Sequence, residues 1–306
     1  MQLTRAAAAA VAAVAIAAAA PAARADGEIA IRGAYYKEKA TRVQQPMIDA
    51  RLDVGDAGQL DAHFLVDVIT SASVAAGNDG QPFSEYRYEA GGTYLHRFGD
   101  ARVGAGVRAS TEPDYRSVFV SGRGEFDFAD RNTTLAIAAA AGFDRFDNDN
   151  TDFDAPFEPR KGAMTTTLGS LTLSQVLSPV AVASLTYDAA RIGGDQENLY
   201  RQVSVGDALE QAPEAVPNVR WRHAIYASAR AFVEPTRSTL IAGYRYYFDT
   251  WEIRAHTPEI RLVQDVARDV SVRLRYRYHR QSAAFFYRDI YDRLERYRTD
   301  DPKLGA

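Results

Sequence analysis

From Ser271 to Gln281 the chain reads SVRLRYRYHRQ. Arg273, Arg275, Arg277 and His279 fall on one parity, and Val272, Leu274, Tyr276 and Tyr278 on the other. Alternation with period two is the mark of a strand with unlike faces, and it recurs along the whole chain. Ile48, Ala50, Leu52 and Val54 alternate with Asp49, Arg51 and Asp53; Ala62, Phe64, Val66 and Val68 alternate with Asp61, His63 and Asp67. Tyr86 and Tyr88 oppose Glu85, Arg87 and Glu89, Val103 and Val107 oppose Arg102 and Arg108, and Phe126 and Phe128 oppose Glu125 and Asp127. The same reading covers EIAIRGAYYKEK, LAIAAAAGF, VAVASLTYD, WRHAIYASARAF, STLIAGYRYYF and PEIRLVQDV. In MTTTLGSLTLSQ the parity slips, which predicts a bulge. About 13 strands of ~10 residues result, the length at which a tilted strand crosses a bilayer.

The connections sort by parity. GDAG, FGD, ADRN, LSP, EPT and ARD are tight turns, whereas SASVAAGNDGQPFS, DRFDNDNTDFDAPFEPRKG and Arg191 to Asn218 read as long polar loops on the other side. Short turns at one end and long loops at the other belong to an outer-membrane barrel. A β-sandwich does not need that sorting, and its inner face would be apolar. The expected fold is therefore all-β, a transmembrane antiparallel outer-membrane β-barrel with about 13 strands visible, and 14 or more if complete, because bacterial single-chain barrels are even.

The first residues agree with export. Arg5, an alanine-rich apolar stretch and Ala23-Arg24-Ala25 form a signal-peptide pattern with cleavage before Asp26, leaving residues 26–306 as the barrel domain. Without Arg5 and Arg24 the chain has 34 basic and 40 acidic residues, no footprint for nucleic acid. It has no cysteine, which excludes disulfides, thiolate metal sites and a cysteine nucleophile.

On these faces, Arg108, Arg222, Arg245, Arg261, Arg273, Arg275, Arg277, His279, Asp61, His63 and Asp67 are expected to point into the lumen. Two readings follow for the arginines. They form a cationic wall selecting anions, or they brace the strands by pairing with acids such as Asp49, Asp53, Glu85, Glu89, Glu259 and Asp265; since the face carries both signs, pairing is favoured. Asp147, Asp149, Asp152 and Asp154 offer oxygen donors for calcium, but lack the spacing of a helix–loop–helix site, and a solvated acidic loop is the alternative. No other cofactor is expected. No nucleophile–base motif surrounds any of the five histidines, so the chain is not expected to be an enzyme. FFYRDIYDRLERY, within Gln281 to Arg298, has the apolar spacing of a short helix.

The segments YYKEKATRV, DVITSAS and YRYYFDTW resemble a domain-of-unknown-function family of Gram-negative outer-membrane β-barrel proteins. The resemblance spans essentially the mature chain. It implies a single barrel domain and an outer-membrane address, and brings no catalytic or ligand residues. Family members continue beyond a DPKLG-like segment, so a further C-terminal strand is expected, unless Arg288 to Arg298 supplies it. The expected partners are outer-membrane lipid, the outer-membrane assembly machinery and small polar solutes. The expected role is a pore for small polar or anionic solutes, with a plugged barrel whose loops bind a partner as the alternative.

Overall fold

Strands dominate because β-branched and aromatic residues alternate with polar ones almost throughout. The computed structural model describes residues 27–38, 41–71, 83–147, 161–198, 201–207, 210–268 and 270–306. The signal peptide and most of the two acidic or polar loops before Phe83 and Lys161 lie outside the described residues. The strands are β1 (Gly27–Lys37), β2 (Thr41–Val54), β3 (Gly58–Ser71), β4 (Phe83–Phe98), β5 (Ala101–Thr111), β6 (Tyr115–Phe128), β7 (Thr133–Asp147) and β8 (Lys161–Ser178). They continue with β9 (Ala181–Gly194), β10 (Gln202–Val205), β11 (Glu210–Pro213), β12 (Val219–Val233), β13 (Ser238–Asp249), β14 (Arg254–Ala267), β15 (Val270–Arg277) and β16 (Arg280–Gln281).

Thirteen of these follow one another in chain order in an antiparallel sheet of 14 strands, β16 being the fourteenth; β10 and β11 form a separate hairpin. Thirteen strands is the number the alternation predicts. Among the described residues no helix is long and apolar enough to cross a membrane. The six tight turns lie between consecutive strands as expected. Gly55 and Gly99 take φ of 63° and 60° there, a region that costs glycine little.

β16 is β15 resumed. Glu259 opposes Arg277 and His256 opposes Arg280 in one continuous register. The break falls where Tyr278 donates its N–H to the carbonyl of Pro258; proline has no N–H to return, so the ladder is interrupted for that pair.

The chain divides into two compact units, Met1–Ser121 with Asp144–Lys161, and Gly122–Phe143 with Gly162–Ala306. In the first, directly opposed residues, which share a face, sort by polarity. Ile48, Phe64 and Ala90 make one row, and Arg51, Asp61 and Thr93 a row of the other face. In the second unit Ala227, Tyr244 and Pro258 share a row of the apolar face, and Tyr226, Arg245 and Thr257 a row of the polar one.

Three expectations are corrected. MTTTLGSLTLSQ keeps an unbroken register with β9, the shift coming only between Val176 and Ser178; the slip in parity is Leu168, which shares the polar face with Ala190. The stretch from Arg191 to Asn218 is not one loop: β9 runs on to Gly194, and the β10–β11 hairpin follows. Gln281 to Arg298 forms no helix, and Arg288 to Arg298 no further strand of the sheet; beyond Gln281 there are only isolated bridges such as Tyr287 with Thr299 and Ala215 with Arg298. There the backbone groups a helix would use locally are taken by other segments: the Tyr291 N–H donates to Ser204 O, and Ala215 N and Arg298 N bond each other's carbonyls.

Candidate functional site

The polar faces of the two units handle charge differently. In the first unit cations meet acids across strands. Arg32 binds Asp49 (2.5 Å), Arg51 binds Asp61 (2.8 Å), Arg87 binds the buried Asp67 (2.6 Å), and Arg108 and His63 both approach Glu89, at 3.7 and 3.1 Å. Gln45 Nε2 donates a further bond of 2.6 Å to Asp67. His63 thus meets Glu89 on the next strand rather than Asp61 or Asp67 on its own. Its ring needs the space opposite Gly91, where a Cβ would come within 2.5 Å of the imidazole. Here the paired ladder holds.

In the second unit it does not. Glu259 is the acceptor for both Arg261 and Arg275, which stand directly opposite each other. Arg222 donates 3.0 Å to Tyr247 Oη. Arg230, Arg245, Arg273 and Arg277 share this exposed face and have no acid partner among the described residues. His279 bonds Thr257 Oγ1 at 2.8 Å in the row of Arg245. The expectation that pairing prevails fails on this unit because its polar face carries more arginines than carboxylates within reach. Asp188, on the same face, accepts from Ser170 at 2.7 Å.

At the end of the unit where β12 begins, a network that sequence reading missed closes the turn between β13 and β14. Asp249, whose side chain is fully buried, accepts from Arg220 Nε (2.9 Å) and Nη2 (2.5 Å), Tyr247 Oη (2.6 Å), and the N–H groups of Trp251 (2.9 Å) and Ile253 (3.0 Å). The Arg220 guanidinium lies 3.9 Å from the Trp251 ring centroid. Trp251 then packs with Val216, Ile253, Ala284 and Phe286, so the C-terminal segment from Ser282 is docked on this turn. The only sequence signal was FDTW between two alternating runs.

The same segment is fastened to the hairpin. Tyr291, 1% exposed, donates to Phe286 O and accepts the Thr299 N–H at 2.7 Å. Thr299 Oγ1 donates to Glu214 at 2.5 Å, and Glu214 also accepts Asn198 N–H at 2.6 Å. Arg201 lies 3.5 Å from Glu214, 3.7 Å from Asp300 and 3.3 Å from Asp301. Burial raises the Glu214 pKa above the ordinary carboxylate range, and Asp301 adds to the rise, against the bonds from Thr299 and Asn198 and the charge of Arg201. A raised acid favours folding below its unfolded pKa and loses that contribution as pH climbs through the folded value. Docking of Ser282–Ala306 is therefore expected to loosen as pH rises above the ordinary carboxylate range, followed by Trp251 fluorescence, and Glu214→Gln to flatten the slope; an unchanged slope would contradict this role.

Of the calcium candidates, Asp147 ends β7 with its carboxylate 3.1 Å from Lys161 Nζ; Asp149, Asp152 and Asp154 lie outside the described residues. Among the described residues no group of His, Asp and Glu is arranged to hold a metal ion.

A family model described as "Protein of unknown function (DUF3570)" matches residues 73–304. No curated protein matches the sequence. Among solved structures, the chain is similar to OmpTdeltaL8, a loop L8 deletion mutant of the Vibrio cholerae outer membrane protein OmpT, at a TM-score of 0.47 and 14% identity, covering 84% of this chain and 95% of that one. It is also similar to the open form of the ferric-catecholate import receptor Fiu from E. coli K12, at a TM-score of 0.47 and 8% identity, covering 86% and 61% respectively. Likeness at this level carries no functional argument.

Proposed function

The chain belongs to the family of proteins of unknown function DUF3570, and from that premise we propose that it is an outer-membrane β-barrel whose polar face lines an anion-leaning aqueous path. Two unlike faces support the reading. The apolar one leaves Ile31 80%, Leu274 61% and Leu185 53% exposed, with no second layer of the fold over them among the described residues. Large apolar area in water costs about 25 cal/mol per Å². An arginine turned to hydrocarbon at mid-bilayer costs about 2–4 kcal/mol. Lipid on one face and water on the other satisfies both.

The height fits as well. On the apolar face Ser238 and Gln264 form one row, and Phe248 and Arg254 another. The ten residue steps from Ser238 to Phe248 span about 34 Å along a strand, or about 26 Å along the normal at ~40° tilt, close to the ~25 Å apolar band of such barrels. Export through Met1–Ala25 belongs to the same reading.

The observation that carries the pore is the cation surplus: Arg245, Arg273 and Arg277 stand without acid partners on a face whose carboxylates on β14 and β15 are Glu259, shared by Arg261 and Arg275, and Asp265. Structural braces would not leave these charges unpaired. In planar bilayers under a salt gradient, the refolded mature protein is expected to show steady conductance steps and an anion-leaning reversal potential. Changing Arg245, Arg273 and Arg277 together to Gln should move that potential toward zero or past it while the barrel still folds. A folded, heat-modifiable protein that never conducts would overturn the pore and favour a plugged barrel, in which the docked C-terminal segment obstructs the path.

A further inference from the structure

The cations of the apolar face gather at one end. Arg191 of β9 stands opposite Trp221, Arg254 of β14 opposite Phe248, and Arg280 of β16 opposite His256. All three are exposed and have no acid partner among the described residues. The rows they occupy contain Tyr187, Trp221, His223, Tyr246, Phe248 and His256, and no carboxylate. The rings form a band, stacked where His223 lies 4.9 Å from Phe248 and 6.4 Å from Trp221, and tilted where Tyr246 lies 5.1 Å from His256. Tyr187 Oη bonds His223 Nδ1 at 2.8 Å and Tyr244 Oη bonds His256 Nδ1.

At the other end of this face, Ala231, Leu240, Leu262 and Leu274, then Val233, Ser238, Gln264 and Val272, carry no Lys or Arg. The first unit repeats the pattern independently: Lys37 and Arg42 oppose each other on the apolar face, next to the row of Tyr35, Gln44, Val68 and Tyr86, while Leu52, Leu60, Tyr94 and Ala105 close the other end without a cation. In both units the cationic end is the one opposite the tight turns.

Resting on the barrel reading above, we propose that this end of the lipid-facing surface is a binding site for a phosphate-bearing lipid of the outer leaflet. Arg254 and Arg280, on neighbouring strands, hold one phosphate and Arg191, three strands from Arg254, a second, while the aromatic band sits at head-group level. The forked guanidinium matches phosphate oxygens, and aromatic side chains favour the interface. Arg254 falls at the upper limit of the apolar span derived above, where a head group sits. Beneath the band, Ala183, Ala227, Ala229 and Ala242 with Leu173, Leu185 and Tyr244 line a shallow apolar hollow. Small side chains there leave room for an acyl chain, so the charged rim and the hollow together match the two ends of a lipid.

The test is native mass spectrometry of the refolded, detergent-held mature protein titrated with lipid A, alongside flotation with phosphatidylcholine vesicles. Lipid A is expected to bind, and the triple change Arg191→Gln, Arg254→Gln, Arg280→Gln to weaken it on the order of a hundredfold, at about fivefold for each basic residue near a lipid surface. The corresponding Arg→Lys triple, which keeps the charge but not the fork, should bind between the wild type and the Gln triple, and inorganic phosphate should not compete at matched concentration. Equal binding by the wild type and the Gln triple, or full competition by inorganic phosphate, overturns the site while leaving the barrel standing. Failure to float with vesicles overturns the barrel and the site with it.

Discussion

Replacing Asp249 by alanine is expected to cost about 3–5 kcal/mol, the scale on which breaking a buried ion pair leaves one charge stranded. The carboxylate takes five hydrogen bonds and shows no exposed side-chain surface, and Arg220, only 11% exposed, has no other acid within reach. The loss should act locally first. Without its acceptor the Trp251 and Ile253 N–H groups are orphaned, the turn opens, and the apolar cluster with Ala284 and Phe286 loses its platform. Limited proteolysis should then release the segment after Ser282 while the strands stay protected, with Trp251 emission moving to the red. Asp249→Asn, which keeps the shape and removes the charge, should fall between the two; wild-type protease resistance in Asp249→Ala would refute the role given to this network.

Ile260→Arg is expected to destabilise the bilayer-embedded protein by about 2–4 kcal/mol, the depth-dependent cost of arginine on the lipid face near the midplane. Ile260 is 46% exposed and lies between Ala242 and Tyr276 on the apolar face. In a water-facing sheet such a surface change would stay within about ±0.5 kcal/mol, so one substitution separates the two settings. Urea midpoints of vesicle-embedded protein measure it. The complementary change, Arg273→Leu on the polar face, should move the midpoint little and alter ion preference instead. Equal, small effects at both positions would remove the bilayer from the account.

How much of this was legible beforehand follows from the range of each interaction. The face of every residue from Ser271 to Gln281 could be read directly, because side-chain direction in a strand alternates with the backbone itself. The thirteen strands and the tight turns, with glycine at Gly55 and Gly99, are local in the same sense. Which charges neutralise one another is not local. His63 reaches Glu89 and Arg87 reaches Asp67 across β3 and β4, whereas Arg273 and Arg277 find no acid, and a shift of one residue in register would have exchanged the faces. Parity favoured pairing of the arginines because the face carries both signs; in the structure the first unit is braced and the second keeps a surplus.

The end of the chain marks the sharpest division. FFYRDIYDRLERY has helical apolar spacing, and nothing within it announces Ser204, Gly206 or Trp251 as partners. Those groups come from distant segments, and their hydrogen bonds and apolar contacts outweigh a weak local preference. By itself the sequence determined the two-faced strands and the tight turns between them, because both follow from residue order along single strands. Only the tertiary structure decided which arginines stay unpaired, how Asp249 closes its turn and where Ser282–Ala306 docks, because those depend on register and contact between strands far apart in the chain.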